Sequence, residues 1–345
     1  MNDIEFRPFY ERSFPRTCGI VGRIGVSVAL GLFILGLRWS AVGTGVFRDS
    51  SWLLALLIVI AMLCLYVATH TLRQLLRDIR VRWPSPQNSN PDLAKDDLSA
   101  RKFVAAGIVF GLVNCAFGLM FGLPAVGWSA FTLLVGFFVA GFICGMAVFG
   151  IVATSVIVGK SASDTRRFFD FTAPDGCGGT SFVGGALTVF GSVTLLVGVM
   201  ISLYILRVDW AHSGTWLVDV PKIVWIVFPY LMSLFVVIAP AASINSELRQ
   251  YKADEELKLR SQADKLVKAI EAQGLSEMDT KSLRESYELL RTVRQDLHKM
   301  RTWPFSWEAK SKYVSGFVST GAVHMVAGLA KFSDWIAKPL GLFMG

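Results

Sequence analysis

The residues with the means to do chemistry concentrate in one polar stretch, KSASDTRRFFDFTAPDGCGGTSFVGG, running from Lys160 to Gly185. Its PDGCGGTS segment joins a turn-favouring Pro-Asp-Gly at Asp175 to Gly178 and Gly179, two residues free to adopt positive φ. Thr180 and Ser181 follow where a helix cap belongs. Backbone amides gathered in this way at a helix N-terminus can hold an anion. The segment lacks the lysine and the spacing of a phosphate-binding loop, so a structural turn and cap is the stronger expectation. Arg166, Arg167, Asp170 and Asp175 carry the charges for a salt-bridge network, and the arginine pair could instead touch lipid phosphate.

Other reactive types are scattered. His70, His212, His298 and His324 have no ligand spacing, and Cys18, Cys64, Cys115, Cys144 and Cys177 contain no CxxC pair. No metal, cofactor or disulfide is expected. No nucleophile has a base at a readable spacing, so the chain does not read as an enzyme. Two glycine stripes stand out: Gly107, Gly111, Gly118 and Gly122, and further on Gly184, Gly191 and Gly198. Each set falls on one helix face, where it serves either a pore or, more commonly, close helix packing. Asn114, the strong amide beside the first stripe, suits an interhelical hydrogen bond better than a pore lining.

The elements that must position these residues are apolar helices. Of the 345 residues, 53% are hydrophobic and 17% charged, which excludes an ordinary soluble domain. Mean hydropathy is +0.51. Uncharged runs predict an all-α, polytopic membrane helix bundle of about six spans, near 21–40, 51–70, 103–122, 128–158, 183–206 and 223–243. The run from Phe103 to Gly159 would reach about 85 Å as one helix, so it must fold back, at GLPAVGW. The run between Arg23 and Arg38 is short for a span unless both arginines snorkel to the interfaces. Nothing before it resembles a cleavable signal peptide.

Arginines and lysines cluster on one side of this topology, at Arg7 to Arg23, Arg73 to Lys102 and Lys160 to Arg167. The other side holds only Arg38, Arg48, Arg207 and Lys222. The bias places both termini and the Asp175 loop in the cytosol. The formal charge of +8 then fits an anionic leaflet of the lipid bilayer as partner, and not nucleic acid. Residues 1–246 read as the transmembrane domain, and 247–345 as a cytosolic helical hairpin with an amphipathic tail. Leu283, Tyr287, Leu290, Leu297 and Met300 form the apolar stripe of the second arm.

The loop TAPDGCGGTSFVG resembles the HPD-x-x-GG-x-x-x-x-G loop of uncharacterised bacterial multi-pass membrane proteins, and MRTWPFSW resembles their later M-x-x-WPF-D element. Ala173 stands where those proteins have His, and Ser306 where they have Asp. Asp175, Gly178, Gly179, Trp303, Pro304 and Phe305 match. The resemblance implies the topology, in a bacterial inner (plasma) membrane, and no activity. Two motifs on one side imply that Trp303, Pro304 and Phe305 dock beneath the bundle near Asp175, with both rings buried and Pro304 ending the hairpin helix. The function expected is an oligomeric channel or pore-like protein, a homo-oligomer regulated by its cytosolic module. The alternative is a membrane-anchored scaffold or sensor, for stress signalling or antiviral defence, that offers its hairpin to a cytosolic protein partner.

Overall fold

The computed structural model describes residues 19–83, 99–120, 122–123, 126–163, 168–207, 216–272, 277–306, 308 and 310–318. Its elements are α1 (Ile20–Val42), α2 (Gly45–Arg48), α3 (Ser51–Arg82), α4 (Ala100–Met120), α5 (Trp128–Ser163), α6 (Ser181–Arg207), α7 (Trp216–Ala272) and α8 (Glu277–Lys299). A further helix covers 310–318. Six of them, α1 and α3 to α7, are long and apolar enough to cross a membrane, so the chain is an all-helical, multi-pass membrane bundle. Arg166, Arg167, the turn at Pro124 and the tail beyond residue 318 lie outside the described residues.

The centre of the bundle is α3, the most deeply buried of the spans, which packs against α1, α5 and α6. Helices α4 and α5 form an antiparallel pair, and α6 pairs with α7. Both pairs rest on glycines. A Cβ at Gly107 or Gly111 would stand 2.7–2.8 Å from the rings of Phe142 or Phe138, and at Gly118 it would stand 3.2 Å from Phe137. From the opposite helix, Gly141 and Gly145 admit Asn114 and Phe110 just as closely. This interlock places both backbones within reach of dispersion forces, which drive association where lipid offers no hydrophobic gain.

The two ends of the bundle are built differently. At one end Arg38 is buried, 6% exposed, and does not snorkel. Its guanidinium pairs with Asp49 and donates to Ser51 Oγ (3.0 Å), Ser129 O (2.8 Å), Ser129 Oγ (2.7 Å) and Thr132 Oγ1 (3.3 Å). One side chain thus ties α1 to the starts of α3 and α5. The short first run spans 23 residues as α1 because its charged end is satisfied by protein. At the other end Trp83 stacks edge-on against Phe169 and Phe182, with ring centres 6.2 and 5.2 Å away.

The boundary expected near residue 246 is not a break in the backbone. The sixth span and the first arm of the hairpin are one 57-residue helix, α7, in which the chemistry changes from apolar to charged without a change of conformation. The second arm, α8, returns to the bundle. Lys252 donates to the carbonyls of His298 (2.8 Å) and Met300 (3.3 Å), satisfying the free end of α8.

Candidate functional site

The site assembles at the Trp83 end, where the Asp175 loop, the start of α6 and the segment after α8 meet. The PDGCGG loop needs Gly176, Gly178 and Gly179 because all three have positive φ, at 61°, 65° and 80°. That curl aims its amides inward. Asp175 Oδ1 accepts from the backbone N–H of Cys177 (2.8 Å) and Gly179 (3.0 Å), and Oδ2 accepts from Ser181 N–H (3.0 Å). The anion held at the head of α6 is therefore the chain's own carboxylate. Burial pushes the Asp175 pKa up, but the three amides and the Ser181 hydroxyl outweigh it and hold the group below the ordinary carboxylate value of 3.8.

The Asp175 carboxylate is occupied by backbone amides, while Arg166 and Arg167 of the expected network lie outside the described residues. One expectation is corrected. Thr180 does not cap the helix forward: its hydroxyl turns back to donate to Cys177 O at 2.7 Å, and Asp175 takes the capping role. Asp170 stays exposed and closes a local turn, accepting from Thr172 N (2.8 Å) and Thr172 Oγ1 (2.6 Å).

Because the folded pKa of Asp175 is depressed, its contribution is complete above the ordinary carboxylate pKa and is lost as pH falls below 3.8 through the lowered value. Asp175→Ala should strip the cap, costing about 2 kcal/mol above the ordinary carboxylate pKa and progressively less as pH falls through the lowered value. The check is amide exchange: Cys177, Gly179 and Ser181 should lose protection together in the variant. Unchanged protection there would show that the carboxylate is not the cap.

The WPF element lies against this loop. Arg301 N–H donates to Gly176 O at 2.8 Å, and Phe305 O lies 3.7 Å from the Cys177 thiol. Pro304 is buried, and its carbonyl sits where a Cβ of Gly184 would be. Gly178 similarly faces Leu248 and Met300 at 3.0 and 3.5 Å. The expectation of two buried rings holds for neither Trp303, which is 40% exposed, nor wholly for Phe305, which is half-buried. The rings stack on each other, 6.3 Å apart, because the buried contact is made by the Pro304 backbone and turns the indole outward. Helix α8 ends at Lys299, before the proline.

Beyond Phe305 the chain does not stay beneath the bundle. Helix 310–318 runs along α6 and α7, and a Cβ at Gly191 would stand 2.6 Å from the Tyr313 ring and 2.5 Å from Val237. The Tyr313 and Ser233 hydroxyls share a hydrogen bond of 2.8 Å, and Ser233 Oγ donates to Gly191 O at 2.8 Å. Gly191 lies ten residues into α6, about 15 Å from its start. Phe317 goes further, edge-on to Tyr230 with centres 6.5 Å apart. Gly198 then packs on Pro229, whose Cβ is 2.7 Å from where a methyl group on that glycine would stand. The second glycine stripe thus meets, in order, Pro304, Tyr313 and Pro229.

The first stripe and Asn114 stand apart from this site. Asn114 is buried and donates to Phe137 O at 2.7 Å, an interhelical bond between α4 and α5. Gly107, Gly111 and Gly118 serve the same pair. Sequence reading missed Arg38 and Tyr313. The paired signs of Arg38 and Asp49 around a short connection were the signal for the first; Tyr313 had none, since a lone tyrosine at a tail's start carries no spacing. Among the described residues no group of His, Cys, Asp or Glu could hold a metal ion. No family model, curated protein or solved structure matches the chain.

Proposed function

We propose that this chain is a bacterial plasma-membrane protein of the channel or pore-like class, working as a homo-oligomer, with its helical module on the cytosolic side controlling how α6 packs on α7. One observation carries the reading. The segment that closes the hairpin is inserted between the elements it would regulate, with Pro304 on Gly184 and Tyr313 on Gly191 and Ser233. A module used only as a display platform needs no such anchor within the spans. Charge bias supports placing the Asp175 end in the cytosol. Within one bundle Arg38 and Asn114 are engaged in interhelical bonds, and we assign conduction to contacts between copies.

A scaffold or sensor is the second reading, favoured by Leu257, Tyr287 and Leu289, apolar residues exposed on the two arms of the hairpin. The two separate in liposomes. Gly191→Leu drives a side chain into Tyr313 and Val237, and should change ion flux several-fold while membrane insertion is retained. If neither the parent nor the variant conducts any ion across voltage, tension and pH, the channel reading is wrong.

A further inference from the structure

The bundle holds an apolar cavity of about 110 Å³ bounded by α3, α4, α5, α6 and α7. Its floor is buried and includes Leu57, Ala61 and Ala140. Its rim is partly exposed, with Phe110 and Val148 on one side and Phe228 and Met232 on the other. The opening arises because α4 and α7 do not pack along their lengths. They meet towards the Arg38 end, where the tilted rings of Phe117 and Trp225 lie with centres 4.8 Å apart, while α5 closes on α7 near the Asp175 end, with Gly159 facing Ser243. Between these two contacts the cavity faces sideways, at the level of the middle of the spans.

Its contents follow from its walls. Asn114 spends its amide on Phe137 O, Thr194 returns its hydroxyl to Phe190 O at 2.9 Å, and the buried Tyr204 hydroxyl is a lining polar group without a hydrogen-bond partner among the described residues. A buried water needs two to four polar partners, and the Tyr204 hydroxyl by itself supplies too few, so these walls do not retain water and a hydrated ion finds no ligand shell. The volume is on the order of that of engineered apolar cavities, roughly 150 Å³, that stay dry and take up benzene. A void of this size leaves its lining without dispersion partners, a cost relieved by any apolar guest. At mid-span depth the surrounding solvent is hydrocarbon, and the guest present in excess is an acyl chain.

We infer that this sideways-opening cavity is a binding site for the acyl chain of a bilayer lipid, entering between Phe110 and Val148 on one side and Phe228 and Met232 on the other. The site is independent of whether the protein conducts. The half-exposed rim grades into a fully buried floor, as a site filled from the membrane requires, and the Phe117–Trp225 pair ends the slot.

The test uses the full chain in phosphatidylglycerol/phosphatidylcholine vesicles containing a phospholipid with a diazirine at mid-chain. Photo-crosslinks mapped by mass spectrometry should be several-fold denser on α5 around Cys144 and on α7 around Phe228 than on the outward face of α1 at Phe33, which is exposed. Ala147→Phe at the rim and Ala61→Leu at the floor should each lower the cavity crosslinks at least about fivefold and leave those at Phe33 unchanged. Val109→Phe, exposed on α4 away from the cavity, should change neither. Competition by unlabelled fatty acid, set against unlabelled phospholipid, distinguishes a free acid from a membrane lipid as the source of the chain. Equal crosslinking of cavity and outer face, or cavity crosslinks that survive both filling variants, would overturn the assignment. A variant that fails to insert is recognised by loss of the Phe33 pattern, and the other variant then decides.

Discussion

Arg38→Ala should destabilise the bundle by about 3 kcal/mol, the low end of the cost of breaking a buried ion pair, because a quarter of the Asp49 side chain stays exposed. The guanidinium serves Asp49, Ser51, Ser129 and Thr132, so its loss strands acceptors on α3 and α5 together. Asp49 has a second duty, accepting from Ser51 N–H at 3.0 Å at the head of α3. Removing the arginine therefore leaves a charge that α3 still needs in place. Replacing the pair with Arg38→Met and Asp49→Asn, which keeps an acceptor for Ser51, should recover a large part of the loss. Thermal unfolding in detergent, followed by size-exclusion recovery, measures both. A single variant as stable as the parent would mean that the pair is solvated and that Arg38 does snorkel.

Gly184→Val should expel the WPF element from the Asp175 loop. The new Cβ would coincide with the Pro304 carbonyl and lie 2.7 Å from its carbon, and backbone cannot swing aside as a flexible side chain can. Overpacking of this kind costs about 1 to 3 kcal/mol where the core must absorb it. Here the cheaper response is for the segment from Arg301 to Val318 to leave, since its polar ties to the bundle include a few bonds such as Arg301 N–H to Gly176 O, the Cys177 thiol to Phe305 O and the Tyr313–Ser233 bond. Limited proteolysis at Arg301, Lys310 and Lys312 should accelerate at least tenfold in the variant. Trp303→Ala, by contrast, removes a ring already 40% exposed and should cost about 1 kcal/mol, well below the 3 to 5 kcal/mol of a buried aromatic. Proteolysis that is slow in Gly184→Val, or fast in Trp303→Ala, would reverse this ranking of the two contacts.

Hydrophobic run length and the charges between runs determined that the chain is a six-span helical bundle, because a bilayer admits few backbone solutions and the cost of a charge at depth is large. Glycine spacing also showed in the sequence which helix faces approach closely, since a helix has a fixed period. Other features depended on partners distant in the chain. The sequence marks Arg38 as a charge at a span's end; only the placement of Ser129 and Thr132, about ninety residues later, makes it a buried tie. The PDGCGG loop announces positive φ and free amides, but which anion fills them is settled by the curl that returns Asp175 onto its own amides. Tyr313 reads as the start of an amphipathic tail, and its depth against Gly191 follows from Pro304 fixing where the chain enters. The lateral cavity has no sequence signature at all. It is space left where α4 and α7 diverge, and space between helices is decided by crossing geometry, which no local pattern of residues encodes.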